Sequence, residues 1–315
     1  CSMKPIRIGL IGFGTVGRGT YEVLQRNQHE IARRAGRGIE VAAITVRDVD
    51  KARAIVGSKV PISSDFNDVI RNPDIDIVVE LIGGYEPAYA LAMEAITRGK
   101  HVVTANKALL ARHGNQLFDA ARSHGVMIAF EAAVAGGIPI IKALREGLTA
   151  NRIEWIAGII NGTSNFILSE MRSRGITFDA ALEEAQRLGY AEADPTFDVE
   201  GIDAAHKLAI LSSIAFGVPI NIDAVYTEGI THLAKEDIKY AEQLGYRIKL
   251  LGITKRTAAG IELRVHPTLV PLQRLIANVE GAMNAILIKG DAVGTTLYYG
   301  QGAGAEPTAS AVIAD

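Results

Sequence analysis

Residues 6–35 constrain the fold of this chain more tightly than any other stretch. Ile6 to Ile11 is a short aliphatic run, Gly12-Phe13-Gly14-Thr15-Val16-Gly17 follows it, and a helical pattern extends from about Thr15 to Ala35. A strand, a GxGxxG turn and a helix in that order form the phosphate-binding turn of dinucleotide-binding folds. Gly12 allows the tight turn, Gly14 lets a pyrophosphate approach the backbone, and Gly17 lets helix and strand pack closely. The phosphates would then lie at the helix N-terminus, where unpaired N–H groups and the dipole favour an anion. A glycine-rich loop that holds no nucleotide is the bland alternative.

The next strand spans 39–46, IEVAAITV. Folds that bind NAD place an acid at its end to bond the ribose 2′-hydroxyl. Here Arg47 comes first and Asp48 second, with Lys51 and Arg53 beyond. A cation at that place suits a 2′-phosphate, which favours NADP or dual use of both cofactors; the plain reading of Arg47 is a solvated loop arginine. Residues 75–82 (IDIVVELI) read as an apolar strand ending in Gly83-Gly84, 101–105 (HVVTA) as one ending in Asn106-Lys107, and 126–130 as another. Helical stretches near 86–98 and 107–123 separate them, and this alternation predicts a doubly wound parallel sheet of Rossmann type. Ligands of such sheets lie beyond the carboxyl ends of the strands, which nominates Gly83, Gly84, Asn106 and Lys107. Lys107 can also be read as a solvated residue at a helix start.

After Phe130 the pattern changes. Residues 131–139, EAAVAGGIP, are small and flexible and end in proline ahead of a helix at 139–147. An interdomain hinge is the plain reading. The sharper one has backbone carbonyls turned inward beside the Glu131 carboxylate, an all-oxygen cage for a hard cation.

The second half begins with a strand at 152–160 and a turn at Asn161-Gly162-Thr163-Ser164-Asn165, where Thr163 or Ser164 is expected to cap a helix at 165–174. A helix at 178–188 leads into a polar loop carrying Glu192, Asp194, Asp198 and Glu200, broken by Pro195. Gly201 to Phe216 then has helical length and is aliphatic or small on nearly every side, the mark of a buried helix. Asp203 and Lys207 stand on it four residues apart, so they project from one face. On an exposed helix they would form a surface ion pair of little worth. Inside an apolar helix, unpaired charge costs several kcal/mol, and charges kept there usually serve a polar ligand or a proton transfer. Beyond it lie a helix around 231–244 and strand-like runs near 246–255, 261–270, 283–289 and 294–299, which predict a second, α+β domain. A last helix is expected from about Pro307.

Composition narrows the function classes. The 315 residues are 48% hydrophobic and 22% charged with net charge −2, so there is no electrostatic case for nucleic acid or an anionic membrane. No run reaches the 18 or so apolar residues of a membrane span, and the absence of a signal-peptide core leads to a cytoplasmic expectation. The only cysteine is Cys1; with Ser2 it reads as a remnant ahead of Met3. An aldehyde dehydrogenase working through a thiohemiacetal needs a buried thiol, and this chain offers none.

Several motifs together resemble homoserine dehydrogenase: GFGTVG at 12–17, VVELIGG at 78–84, TANKALL at 104–110, EAAVAGGIPI at 131–140, NGTSNFIL at 161–168, GYAEADPTFDVEGIDAAHKLAIL at 189–211 and GAGAEPTASA at 302–311. The resemblance implies NAD(P)-linked, reversible interconversion of L-homoserine and L-aspartate 4-semialdehyde, on the route to threonine and methionine. It places Lys207, Lys107 and Asp203 in the chemistry and Glu192, Asp203 and Asp198 on the substrate. Cofactor contacts are carried over to Gly12, Phe13, Gly14, Thr15, Val16, Gly17, Arg47, Gly83, Lys107, Gly189 and Gly304. A sodium ion falls to Glu131 with the carbonyls of Val134, Gly136 and Ile138. The resemblance also implies a dinucleotide-binding domain over 1–132, completed by the helix at about 304–315, and a substrate-binding and dimerisation domain over 133–303 in a homodimer. The C-terminal ACT regulatory domain of many relatives is not within these residues. Two other readings stand beside this one: another NADP-linked dehydrogenase of an amino-acid alcohol or semialdehyde, and a non-enzymatic NADP-binding sensor. For any of the enzymes, a lysine that moves protons near neutrality needs a pKa below its usual value of about 10.4.

Overall fold

The computed structural model describes residues 3–315; Cys1, the only cysteine, lies outside the described residues. The chain forms two compact units, one from the residues up to Gly137 together with Gly304–Asp315, the other from Ile138–Ala303.

The first unit alternates strand and helix: β1 (Ile6–Ile11), α1 (Thr15–Arg26), α2 (Gln28–Ala35), β2 (Ile39–Thr45), α3 (Val49–Val56), β3 (Ile62–Ser63), α4 (Asn67–Ile70), β4 (Ile77–Glu80), α5 (Ala88–Thr97), β5 (His101–Thr104), α6 (Lys107–His124) and β6 (Ile128–Ala129). The strands form one six-stranded sheet in the order β3-β2-β1-β4-β5-β6, and every pairing is parallel. The order reverses between β1 and β4, the place where such sheets bind dinucleotides. Aliphatic runs make these strands because both sheet faces are covered: Leu10, Ile11, Ile44 and Val78 are fully buried. The single long helix expected after the glycine loop is two helices, separated at Asn27. The short elements β3, α3 and α4 were not apparent from the pattern.

The second unit contains α7 (Ile140–Lys142) running into a π-helical turn at Ala143–Gly147, then β7 (Ile153–Ile159), α8 (Gly162–Arg174), α9 (Phe178–Arg187), α10 (Thr196–Val199), α11 (Ile202–Phe216), β8 (Tyr226–Thr227), α12 (Lys235–Gln243), β9 (Tyr246–Thr257), β10 (Gly260–Pro271), β11 (Met283–Gly290) and β12 (Gly294–Gln301). Its six-stranded sheet has the order β12-β11-β7-β9-β10-β8. Four of its pairings are antiparallel and β8 joins β10 in parallel, so the sheet is mixed. Helix α11 packs on β7, β9 and β10. Its Leu208, Ile210 and Leu211 are fully buried, each worth roughly 1.5–3 kcal/mol of apolar transfer. A Cβ on Gly252 of β9 would stand 3.0 Å from Ile160 Cδ1, so the bare glycine leaves room for the residue whose carbonyl meets Lys207.

Helix α13 (Ala305–Ala314) closes the first unit. It packs on α1, where a Cβ on Gly19 would stand 2.8 Å from the Ala305 carbonyl. The exposed Arg26–Glu306 pair joins the same two helices. No helix among the described residues is long and apolar enough to cross a membrane.

Candidate active site

In the second unit, the charged pair on α11 is real and out of water. Lys207 Nζ lies 2.7 Å from Asp203 Oδ2, and the two side chains are 12% and 5% exposed. Lys207 also donates to the Ile160 carbonyl at 2.9 Å, just past the end of β7. Two of its three N–H groups are therefore occupied, and one remains for a ligand. Burial of such a pair is tolerated only where further hydrogen bonds complete it.

Asn161 supplies them. Its Nδ2 donates to Asp203 Oδ2 at 2.9 Å and to Asp198 Oδ1 at 2.7 Å, while its Oδ1 accepts the Ser164 amide. One side chain thus ties two carboxylates together and caps α8. The cap expected from Thr163 or Ser164 is a correction: Asn161 is the N-cap, and the helix starts three residues earlier than 165. Ser164 Oγ donates instead to the Asp198 carbonyl and Thr163 Oγ1 to that of Tyr190, which fastens the 189–200 segment to α8. That segment is not all loop, since α10 lies within it. Two carboxylates and one ammonium thus meet here, a set of groups suited to a zwitterionic ligand.

Glu192 is exposed, and its carboxylate enters none of these bonds. The sequence reading set it beside Asp203; here its backbone carbonyl accepts from Gln186 and its side chain faces solvent. Gly189, also exposed, has φ +81°, a conformation that favours glycine.

The glycine loop of the first unit has the expected anatomy. Gly12 has φ +102°, and a Cβ on Gly17 would stand 2.4 Å from the Gly12 carbonyl, so helix and strand touch there. Gly14 is the N-cap of α1, exposed, with no side-chain cap and open space where a Cβ would be. Thr15 is exposed and Val16 half-buried, while Phe13 is buried against Tyr21. The first turn of α1 therefore presents uncapped amides to an anion. Arg47 is exposed directly after the second strand, and Asp48 Oδ1 is taken up capping α3 by accepting the Lys51 amide. Gly304, with φ +120°, is the exposed N-cap of α13.

Gly83 and Gly84 follow β4 with φ near +74° and +73°, and Lys107 is the first residue of α6, half-buried. Sequence reasoning missed what holds them. Glu80, taken there as part of an apolar strand, is a carboxylate only 1% exposed. Its Oε1 accepts the Ile82 and Gly83 amides at 2.8 and 3.1 Å, and its Oε2 accepts the Thr104 hydroxyl at 2.6 Å.

Glu131 is also buried, at 1% exposure, and opens a short 3₁₀ turn ending at Ala133. Ala135 is the one positive-φ residue other than glycine among the described residues, at +57°, and Gly136 follows at +48°. Left-handed backbone at alanine costs about 1–2 kcal/mol and persists where the surroundings require it. Ile138, whose carbonyl accepts the Ile140 amide, heads the second unit. Among the described residues no group of three or more His, Cys, Asp or Glu side chains could hold a metal; the oxygens this segment offers a cation are the Glu131 carboxylate and backbone carbonyls.

Comparison with known proteins gives a consistent result. Residues 12–131 match the model of the homoserine dehydrogenase NAD-binding domain, and residues 139–315 that of homoserine dehydrogenase. The homoserine dehydrogenase of Pseudomonas aeruginosa is 66% identical over 99% of this chain and 72% of its own length. A crystal structure of a homoserine dehydrogenase from Thiobacillus denitrificans is 70% identical, with a TM-score of 0.97, over 100% of this chain and 73% of that one. A hyperthermophilic archaeal homoserine dehydrogenase in complex with NADPH is 28% identical, with a TM-score of 0.83, over 99% and 96% of the two chains.

Proposed function

The chain belongs to the homoserine dehydrogenase family, and from that premise we propose how its residues divide the work. Homoserine is a zwitterion with a hydroxyl at its far end. Asp198 and Asp203, joined by Asn161, receive its ammonium; the remaining N–H of Lys207 reaches its hydroxyl oxygen. In oxidation Lys207 acts from its neutral amine form, whose lone pair takes the hydroxyl proton, and in reduction of the semialdehyde its ammonium form returns that proton to the carbonyl oxygen. Asp203 holds the ammonium of Lys207 in place and balances its charge while the site stays dry. Lys107, the first residue of α6, is the second lysine assigned to the chemistry. Glu192, exposed on the 189–200 segment, adds a further carboxylate for the substrate ammonium.

When bound, the nicotinamide cofactor accepts or supplies the hydride at the carbon that carries the oxygen. Gly12 to Gly17, at the first turn of α1, would hold the pyrophosphate, with Gly83 and Gly304 as further residues to hold the cofactor. Arg47 pairs with a 2′-phosphate, and Asp48, occupied as a helix cap, is poorly placed for a ribose hydroxyl; both favour NADP over NAD. The NADPH carried by the archaeal relative supports the same choice. A sodium ion at Glu131 and the carbonyls of Val134, Gly136 and Ile138 would fix the left-handed kink in that segment. The active species is a homodimer, a reading that rests on family membership and is open to light scattering.

The observation that carries this reading is the buried Asp203–Lys207 pair completed by Asn161. Its test is the absorbance change of the nicotinamide with homoserine, first with NADP and then with NAD, in the parent and in Lys207→Ala. Loss of turnover with homoserine in the parent would leave one of the other NADP-linked dehydrogenases.

A further inference from the structure

A closed circuit of hydrogen bonds lies at the carboxyl ends of β4 and β5. Glu80 Oε1 takes two backbone amides of the loop that leads to Gly83-Gly84, and Glu80 Oε2 takes the Thr104 hydroxyl. Thr104 Oγ1 accepts the Asn106 amide at 3.0 Å. The Asn106 side chain returns to the loop, its Nδ2 donating to the Gly84 carbonyl at 2.6 Å, while its Oδ1 accepts the Leu109 amide and caps α6. Glu80, Thr104 and Asn106 are 1%, 1% and 7% exposed. Each donor has an acceptor, and the direction of every bond follows from the chemistry of the groups.

This arrangement is more than the sheet requires. Among the described residues no cation pairs with Glu80, and a carboxylate buried without one is costly. An apolar residue would fill the end of β4 at less cost, yet it would leave the Ile82 and Gly83 amides unheld. What the circuit does achieve is to fix the glycine loop and the first turn of α6 as one body. Lys107 is the first residue of that turn, next to Asn106.

We propose that Glu80 is a positioning residue that acts through Lys107: by way of Thr104 and Asn106 it sets where α6 begins, and so where the Lys107 ammonium stands. The inference rests on the role proposed for Lys107. Glutamine at position 80 keeps the shape but must aim its NH₂ either at two backbone amides or at the Thr104 oxygen, which can accept it beside the Asn106 amide but then leaves the Thr104 hydroxyl without the acceptor it has in Glu80. Either way a hydrogen bond of the circuit is lost. Valine at 104 keeps the shape and removes the hydroxyl; serine keeps the hydroxyl.

The experiment measures kcat for homoserine oxidation by Glu80→Gln, Thr104→Val and Thr104→Ser, each alone and combined with Lys107→Ala, with thermal unfolding followed in parallel. Glu80→Gln and Thr104→Val are expected to lower kcat by roughly 10- to 100-fold, the effect of a reacting group displaced by about an ångström, while Thr104→Ser stays near the parent. In the Lys107→Ala background the same two changes should cost almost nothing further, because the group they position is gone. Equal losses in both backgrounds would overturn the proposal while leaving Lys107 its role. A hydroxyl-independent result, with Val at 104 as active as Ser, would overturn it as well, even if Glu80→Gln fails to fold. Full activity in Lys107→Ala alone would remove the reading beneath it, a different pattern from either.

Discussion

Asn161 donates to Asp203 at 2.9 Å from a turn whose sequence, Asn-Gly-Thr, advertises only a helix start. The same Nδ2 reaches Asp198, so one amide keeps two carboxylates at a fixed separation beside Lys207. Replacing it with alanine leaves a buried carboxylate short of a donor, at a cost of about 1–3 kcal/mol, and removes a cap worth about 1 kcal/mol. Asn161→Ala is therefore expected to lose roughly 10- to 100-fold in kcat/KM for homoserine, with cofactor affinity retained. Asn161→Asp should be worse, since it sets a third carboxylate among two. Steady-state kinetics on both variants decides this, and an Asn161→Ala enzyme with parental kcat/KM would leave the residue a helix cap only.

Arg47 is exposed at the end of the second strand with Asp48 turned to capping. Arg47→Ala should raise the KM for NADP by about ten-fold or more, the loss of one charge-assisted contact, and leave that for NAD little changed. Equal effects on the two cofactors would return Arg47 to the solvent.

Lys249 is buried on β9, where it donates to the Val279 carbonyl at 2.6 Å and to Asn165 at 3.2 Å, with Glu280 at 3.7 Å. Loss of hydration pushes its pKa down from 10.5 to about 8, against the pull of Glu280 and with help from Arg247 and Arg172. Between pH 8 and 10.5 the unfolded chain holds this proton and the folded one does not, so stability rises with pH across that window. The slope is about 1.4 kcal/mol per pH unit. Lys249→Met should abolish that rise relative to the parent. Denaturant unfolding at pH 8, 9 and 10 gives the difference in slope, and parallel curves for the two proteins would contradict the assignment.

Glu131 and the kinked backbone after it form the candidate sodium segment. Activity should be higher in sodium chloride than in the chloride of a bulky organic cation at matched ionic strength, and Glu131→Gln should flatten the difference. A parent enzyme indifferent to the cation would make residues 131–139 a hinge alone.

Much of this fold could be read from the chain because parallel strands buried on both faces write themselves as aliphatic runs. Ile39 to Thr45 and His101 to Thr104 are such cases, punctuated by glycines at the turns. The Asp203–Lys207 pair was equally legible, because four-residue spacing on a greasy helix leaves charge nowhere else to go. What escaped notice shares a different physics. Glu80 lies in an aliphatic run and is held by backbone amides that leave no mark in the sequence. Asn161 bonds to residues 37 and 42 positions away, a distance no local pattern encodes. The break at Asn27 falls inside a continuous helical periodicity, and the exposure of Glu192 depends on how its loop is tied to Gln186.

The account depends most on the acid–lysine pair of α11. Its most direct test is homoserine oxidation by Lys207→Ala, with cofactor affinity measured by fluorescence titration on the same preparation. Loss of roughly 100- to 10,000-fold in kcat, the usual worth of a positioned acid–base group, with unchanged cofactor affinity is the predicted result. Turnover within a few-fold of the parent would contradict it.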